Sequence, residues 1–486
     1  MEGSEHTLLK DKTAKGLLWG SLGNGIQQVL NLFFGIFLAR LLSPSDYGMV
    51  GMLAIFTAAV GVLHEGGFSA ALINRDVIDR RQYSSFFWCS ITVSFILYLI
   101  LFFCAPLIAR FFHEPALKDL SRYVFLGVFI SSFGLAPAAI LKKELKVKQK
   151  TIGAVVALIV SGTVGLIMAM NGMSYWGIAT QSIVYTLVCT AFNWYFARWK
   201  PLWVFDFAFI KSIASFSLKL VVTGLVSIVN TNIFSVLLGR FFTKVEVGFY
   251  NQAQKWTTMG ISLLYQSVLN VSQPVLVEAS EEQRQTRVLR KLIRFIAFVS
   301  FPAMFGLALI SPELIETAIT AKWSASADLM RILCVAGAFV PIQAIFSSTV
   351  LAKEQSDTYM YVNIAHGVIQ IAVLLLTIRY GVKVMVICYA AVNVIWTFVW
   401  YYFTGKSVRY RLIDFLKDSM PFMLIALAVM AVAYVLTRGM TSGVLMMLAR
   451  IALAVGLYAL SMRLCGAKIY RESIGYLQQL LKKTTP

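Results

Sequence analysis

The chain has 486 residues, of which 58% are apolar and 14% are charged, and its formal net charge is +20. Soluble domains carry about 25% charged residues, so this composition excludes a string of soluble domains and indicates a polytopic membrane protein. The first apolar run is too long for a secretory signal peptide and lacks a small-residue cleavage site, so we predict that it remains as a transmembrane helix.

Apolar runs of about 20 residues, the length that crosses the hydrocarbon core, predict about fourteen transmembrane helices. In chain order they lie near residues 17–42, 48–72, 84–109, 121–141, 152–171, 174–197, 211–241, 249–277, 289–310, 328–351, 359–380, 381–404, 418–437 and 441–464.

The sequence FGIFLARLLSPSDYG at residues 34–48 recurs as FSVLLGRFFTKVEVG at residues 234–248. The polar and glycine positions match at a constant offset: Arg40 with Arg240, Asp46 with Glu246, and Gly48 with Gly248. Self-similarity at a fixed distance indicates an internal duplication. An even number of crossings separates helices 1 and 7, so both copies enter the membrane in the same direction.

We therefore predict an all-α integral membrane fold of two parallel six-helix lobes. A pseudo-twofold axis along the membrane normal relates the lobes, and the substrate path lies at their interface. The predicted segments are residues 1–200 for the N-terminal lobe, 201–405 for the C-terminal lobe, 406–464 for two additional helices and 465–486 for a cytoplasmic tail.

Lysine and arginine are distributed unequally between the loops on the two sides of this topology. The side that holds the N-terminus has nearly three times as many as the other. Because cytoplasmic loops carry an excess of Lys and Arg, both termini are predicted to be cytoplasmic. Topology and attraction to the membrane surface thus explain most of the basic charge, which disfavours nucleic-acid binding.

Polar residues inside the apolar runs show which helix faces avoid lipid, since a polar side chain there has to face another helix or water. Helix 8 has them at steps of three or four along one face: Asn251, Lys255, Thr258, Ser262, Gln266, Asn270 and Gln273. Helix 7 has Lys219, Thr223, Ser227 and Asn230, and helix 1 has Asn24, Gln27 or Gln28, and Asn31. These faces predict a hydrated cavity, and hydrogen bonding between helices is the alternative.

Lys219 and Lys255 are the main candidates for substrate contact, because a cation inside the membrane is costly without water or an anion. The alternative for both is that the long side chain extends to the membrane surface. His64 and Glu65 in helix 2 are candidates for ion coupling, and neutralisation of Glu65 by a neighbouring cation is the structural alternative. No metal, cofactor or catalytic residue set is expected, because the four histidines are scattered and GxSxG and Walker A motifs do not occur.

The order of several segments resembles one known family over nearly the whole chain. The segments are FGIFLARLLSPSDYGMVGM, EGGFSAALINR, ILKKELKVKQK, FSLKLVVTGLVSIVNTNIFSVLLGRFFTKVEVGFYNQAQKW, QPVLVEA and TAKWSASADLMRIL. They resemble the Wzx-type polysaccharide flippases of the multidrug/oligosaccharidyl-lipid/polysaccharide exporter superfamily.

The resemblance implies a flippase, not an enzyme, that moves polyprenyl-pyrophosphate-linked oligosaccharide across the bacterial cytoplasmic membrane by alternating access, for polysaccharide and lipopolysaccharide biosynthesis. It implies a cationic cavity lined by helices 1, 2, 7 and 8, and a polysaccharide polymerase and chain-length machinery as further partners. Glu65 would be the acid of the EGG motif. The predicted pyrophosphate-binding set is Lys219, Lys255, Arg40 and Arg240.

Four alternatives remain at the level of sequence. Fourteen helices depart from the twelve usual for this type and resemble the lipid II flippases, which keeps that substrate open. A cation-coupled drug antiporter of the same superfamily would be favoured by an acidic, aromatic cavity. A glycan polymerase or ligase would need a sizeable external loop, and none is predicted; a scaffold subunit would lack a hydrated cleft.

Overall fold

The computed structural model describes residues 2–63, 72, 78–278, 282–440, 443–467 and 469–472, and for several helical positions, among them Lys219, Gln266 and Asn270, it describes the backbone alone. Helices dominate this part of the chain, and it contains no β-strand. The helices are α1 (Glu2–Leu41), α2 (Pro44–Val62), α3 (Arg80–Phe112), α4 (Leu117–Lys143), α5 (Val147–Met170), α6 (Tyr175–Ala197), α7 (Phe207–Phe241), α8 (Lys244–Glu278), α9 (Glu282–Ile319), α10 (Ser324–Gly337), α11 (Val340–Ala352), α12 (Ser356–Thr377), α13 (Val382–Val408), α14 (Leu412–Thr437) and α15 (Val444–Leu464).

Twelve segments of the described residues are long and apolar enough to cross a membrane, with α10 and α11 counted as one. Helices α6 and α8 have 23 and 35 residues and are also long enough, but they are not among the twelve apolar segments. In α8 the polar residues of one face replace apolar ones. The predicted all-α multi-pass membrane fold is confirmed, and the total of fourteen crossings stays a prediction.

Predicted helix 10 is divided in two. Helix α10 ends at Gly337, and α11 begins at Val340 with Pro341 in its first turn. Proline has no backbone N–H, so it is tolerated in a first turn but would interrupt a continuous helix. The Ser300 hydroxyl donates to the Ala338 carbonyl at 2.7 Å, which satisfies a backbone acceptor exposed by the break.

The two copies of the repeat have the same hydrogen bonds where one helix ends and the next begins. In the first copy the Asp46 carboxylate accepts from the Ser43 backbone N–H at 2.8 Å and from its hydroxyl at 2.7 Å. In the second copy the Glu246 carboxylate accepts from the Thr243 N–H and hydroxyl, both at 3.0 Å. Each hydroxyl in turn accepts from the N–H of its acidic partner at 3.3 Å. The matched acids therefore cap the N-termini of α2 and α8.

The matched glycines allow the starts of α2 and α8 to meet. A Cβ added at Gly48 would overlap the Lys244 carbonyl, and one added at Gly248 would overlap the Pro44 carbonyl. The glycine of each copy thus contacts the backbone of the other copy. In both cases the residue contacted lies four positions before the glycine of its own copy. Such reciprocal contacts are the mark of local twofold symmetry, and they explain why only glycine fits at these two positions.

The chain divides into two compact units, Met1–Gly248 and Phe249–Pro486. In the first unit, α5 packs on α1 and α6, α4 packs on α3 and α6, and α7 packs on α2 and α3. The first unit therefore includes α7, which is the first helix of the predicted C-terminal lobe. The lobe boundaries at residues 200, 405 and 464 stay predictions.

In the second unit, α9 contacts α10, α11, α14 and α15, so the two additional C-terminal helices are packed on it. A buried ion pair fixes this arrangement. The Arg450 guanidinium lies 2.7 Å from the Glu313 carboxylate, with side chains only 3% and 7% exposed. The Arg450 guanidinium also donates to the Thr437 hydroxyl at 3.1 Å and to the Leu309 carbonyl at 3.2 Å. It therefore joins α15 to α9 and α14.

Replacing Arg450 by Met should lower the free energy of unfolding by about 3 kcal/mol, because Glu313 is left as a buried carboxylate without its cation. The double substitution Arg450→Met with Glu313→Leu removes both charges and should recover most of that loss. Thermal unfolding in detergent measures both effects. An equal loss of stability in the single and double variants would contradict this role of the ion pair.

Candidate functional site

Helix α8 packs on its own unit through the side opposite to its predicted polar face. The Thr257 side chain is buried, and its hydroxyl lies 3.8 Å from the Cys334 sulfur of α10. A Cβ on Gly260 would lie 2.9 Å from Leu307 of α9. Positions 257 and 260 share one side of the helix because a turn takes 3.6 residues.

The polar face of α8 is the more exposed one. Lys255 and Thr258 are exposed, while Asn251 and Ser262 are half-buried. The Ser262 hydroxyl donates within its own helix, to the Met259 carbonyl at 3.0 Å. Lys255 and its neighbours therefore share a face that is not used to pack α8 on α9 and α10.

Helix α1 has the same arrangement in the first unit. Its buried residues include Gly23, Phe34 and Leu38, and it packs on α5. Asn24, Gln28 and Asn31 are exposed, whereas Gln27 is half-buried. The structure thus resolves the choice between the two glutamines: Gln28, not Gln27, shares the exposed face with the two asparagines.

On α7, Thr223 and Ser227 are exposed and Asn230 is half-buried. The Ser227 carbonyl accepts from the Thr231 hydroxyl at 2.8 Å, one turn further along the same helix. The polar positions of α7 thus form a third face with exposed hydroxyls.

Several candidates cannot be placed as side chains. His64 and Glu65 lie outside the described residues. Lys219 of α7 and Gln266 and Asn270 of α8 are placed by their backbones only.

The two arginines of the repeat differ in their surroundings. Arg40 is exposed in the last turn of α1. Arg240 is half-buried, and its guanidinium donates to the Phe111 carbonyl at 2.7 Å and lies 2.9 Å from a His113 ring nitrogen. Its charged group also lies over the Phe111 ring, 5.3 Å from the centroid. Arg240 therefore anchors the end of α7 to the end of α3, and its predicted phosphate contact stays a prediction.

An ion pair close to Arg240 was not predicted from the sequence. The Lys244 ammonium lies 3.0 Å from the Glu114 carboxylate. His113 and Glu114 follow α3 directly, at the point where the chain turns with His113 in a left-handed conformation. No spacing in the sequence connects residues 113 and 114 with residues 240 and 244, so only the fold reveals this contact.

The chain matches a family model described as polysaccharide biosynthesis protein over residues 37–328. The chain belongs to the polysaccharide biosynthesis protein family. The matched region contains the second copy of the repeat, all but the first three residues of the first copy, and the polar faces of α7 and α8.

Named relatives agree with this family membership. The teichuronic acid biosynthesis protein TuaB of Bacillus subtilis is 23% identical over 71% of this chain and 72% of its own length. The lipopolysaccharide biosynthesis protein WzxC of Escherichia coli is 22% identical over 73% of both chains. The succinoglycan biosynthesis transport protein ExoT of Rhizobium meliloti is 19% identical over 61% of this chain and 60% of its own.

Solved structures share the fold. The lipid II flippase MurJ in an inward closed conformation superposes with a TM-score of 0.77, at 16% identity, over 94% of this chain and all of that chain. An inward-facing multidrug resistance MATE family transporter gives 0.64, also at 16% identity, over 79% of this chain and 94% of that chain. The chain is thus a member of the polysaccharide biosynthesis protein family, with a multi-pass membrane fold that it shares with these two structures.

Proposed function

We propose that this family member is a flippase that moves polyprenyl-pyrophosphate-linked oligosaccharide repeat units from the cytoplasmic to the outer leaflet by alternating access. The observation that carries the proposal is the polar face of α8, on which Lys255 and Thr258 are exposed while the opposite side packs on α9 and α10. A pyrophosphate and several sugars cannot cross bare hydrocarbon, since each unpaired charge costs several kcal/mol or more.

The proposed roles follow from the chemistry of the side chains. Lys255 and Lys219 hold the pyrophosphate, and Arg40 meets it at the end of α1. Hydroxyls and amides on the exposed faces of α1, α7 and α8 replace water around the sugar hydroxyls. His64 and Glu65 are the proposed coupling pair.

The proposed location is the bacterial cytoplasmic membrane with both termini in the cytoplasm. The excess of basic residues in loops on the N-terminal side supports this orientation. In that orientation, the interior-negative potential favours outward movement of anions by about 2.3 kcal/mol per charge per 100 mV. The proposed partners are a polysaccharide polymerase and its chain-length machinery.

Reconstitution tests the proposal directly. Purified protein in liposomes should move a labelled polyprenyl-pyrophosphate oligosaccharide to the leaflet that faces a membrane-impermeant quencher. The loss of label signal measures this movement. A potential that draws anions across, set with valinomycin and potassium gradients, should accelerate the movement. Empty liposomes and the Lys255→Glu variant are the controls. Exchange of protons for a cationic drug, with no oligosaccharide movement, would contradict the proposal and favour the antiporter.

Lipid II is the second candidate substrate. Helices α14 and α15 are both apolar enough to cross the membrane. If α6 and α8 cross it as well, the total is the predicted fourteen, which is more than the twelve usual for a Wzx-type flippase. The two substrates carry the same pyrophosphate but different headgroups. The reconstituted assay separates them when unlabelled lipid II competes: strong inhibition by lipid II, with weak inhibition by the oligosaccharide, would support the second candidate.

A further inference from the structure

Three loops that lie far apart in the sequence enclose a cavity of about 740 Å³ in the first unit. They are the start of α3, the end of α4 and the segment that joins α6 to α7. All three were predicted to lie on the cytoplasmic side from their basic residues. The structure brings them together at one place on the surface of this unit.

The charged lining of the cavity is strongly basic. Four cationic residues line it: Arg80, Lys143, Arg198 and Lys200. The carboxylate in the lining is that of Glu144, and it lies 2.6 Å from the Lys146 ammonium, so its charge is already balanced. A group that binds here gains several cations without facing an unbalanced anion among the lining residues.

The rest of the lining is aromatic and apolar. Tyr83, Trp199 and Ile140 contribute to it. The Trp199 indole N–H is buried and has no hydrogen-bond acceptor among the described residues. Because this nitrogen has almost no accessible surface, Trp199 offers its ring to the cavity and not its N–H. The cavity therefore suits an amphiphile with a negatively charged, oxygen-rich head.

The cavity is held in shape by the neighbouring backbone. The Arg80 guanidinium donates to the Lys200 carbonyl at 3.2 Å. The Ser84 hydroxyl accepts from the Leu202 N–H at 2.9 Å, and the Ser85 hydroxyl accepts from the Asp206 N–H at 2.7 Å. The segment between α6 and α7 is thus fixed to the start of α3 before any ligand binds.

Two tryptophans close to the lining residues, Trp88 and Trp203, indicate the level of the cavity in the membrane. The Trp88 and Trp203 rings stack with centroids 4.3 Å apart, and Trp88 donates to the Leu202 carbonyl at 2.9 Å. Tryptophan is enriched at the level of the lipid headgroups. Basic pockets at this level on the cytoplasmic side are where anionic lipid headgroups bind.

We propose that this cavity binds the phosphate headgroup of an anionic glycerophospholipid from the cytoplasmic leaflet. Lys143, Arg198 and Lys200 contact the phosphate. The lipid thereby stabilises the segment that connects α6 to α7. The inferred lipid site does not depend on the proposed transport function, and only the choice of leaflet depends on the proposed orientation.

Native mass spectrometry with phosphatidylglycerol as the probe tests the proposal on the full-length protein in detergent. The variant Lys143→Gln/Arg198→Gln/Lys200→Gln should weaken phosphatidylglycerol binding by at least about tenfold and leave the weak binding of phosphatidylcholine unchanged. A matched control removes three exposed basic residues from the predicted cytoplasmic side of the second unit: Lys406→Gln, Lys417→Gln and Arg463→Gln. It should bind phosphatidylglycerol as the original protein does.

If the triple variant does not fold, the single variant Lys200→Gln replaces it. This variant keeps the Lys200 carbonyl that accepts from Arg80, and it should weaken phosphatidylglycerol binding by about threefold. Equal losses in the triple variant and its control would overturn the proposal, since they would indicate general charge attraction. Displacement by millimolar inorganic phosphate would overturn it in favour of a soluble anion. Preferential binding of a polyprenyl pyrophosphate over phosphatidylglycerol would overturn it in favour of the transported lipid.

Discussion

Lys255→Glu should abolish export of the lipid-linked oligosaccharide while the protein remains in the membrane. At a separation of about 4 Å and an effective dielectric constant of about 20, changing attraction into repulsion alters the interaction with one phosphate charge by about 8 kcal/mol. Because Lys255 is exposed, water weakens the effect. Even a quarter of it, about 2 kcal/mol, slows transport by more than tenfold.

Export is measured as surface polysaccharide in a deletion strain that carries the variant, with the amount of membrane protein determined in parallel. Lys255→Arg keeps the charge and should retain most of the activity. Lys406→Glu is an equal charge reversal at an exposed position on the predicted cytoplasmic side, and it should leave export unchanged. Normal export by Lys255→Glu would remove Lys255 from the mechanism.

Gly48→Ala should destabilise the protein by about 3 kcal/mol, the upper part of the usual range for overpacking. The added Cβ would overlap the Lys244 carbonyl, and a backbone atom cannot rotate away as a side chain can. Gly248→Ala should have a similar effect, because its Cβ would overlap the Pro44 carbonyl. Both variants should also lower export, since the starts of α2 and α8 are forced apart.

Gly61→Ala is the matched control for the glycine prediction. Gly61 lies in α2 as Gly48 does, but a Cβ there would meet no atom of another described element within 4 Å. Alanine is favoured over glycine in a helix by about 1 kcal/mol, so this variant should be neutral or slightly stabilising. Thermal unfolding in detergent distinguishes the two positions by the sign of the change. Equal melting temperatures for Gly48→Ala and Gly61→Ala would contradict the close contact.

The fold class and the repeat were predictable from the sequence because each leaves a local signal. Apolar runs mark the membrane helices, and the arginine, acid and glycine of the repeat recur at a fixed offset. The acids were predictable as matched positions, and the structure shows that both cap the helix that follows. The reason for the glycines was not predictable, because Gly48 meets the backbone of residue 244.

Other features depend on contacts that the sequence does not encode locally. Arg450 lies well inside the apolar run 441–464 of the sequence, but its partner Glu313 was not predictable, since the pair joins two separate helices. Likewise, the basic loops at residues 80, 143 and 198–200 appeared to be topology signals only, until the fold placed them around one cavity. The sequence predicts helix 10 as continuous because its apolar pattern runs through Pro341.

The polar faces of the helices were predictable only in part. Helical spacing predicted which residues share a face, and the exposure of Lys255, Thr258, Asn24, Gln28 and Asn31 agrees with that spacing. Spacing alone did not separate Gln27 from Gln28, because adjacent residues on a helix differ by only about 100° in direction. The surface packed on α5 decided between them.

Site-directed spin labelling of α8 tests the central claim, that its polar face meets water inside the membrane. In a variant with the six cysteines replaced, a nitroxide is placed in turn at positions 251, 255, 258 and 262, and at the exposed apolar residues Leu427 and Val435 of α14 as lipid-facing references. The label on α8 should be more accessible to a water-soluble nickel chelate than to oxygen, and the reverse should hold on α14. Oxygen accessibility on α8 equal to that on α14 would place Lys255 against the acyl chains and contradict the transport path.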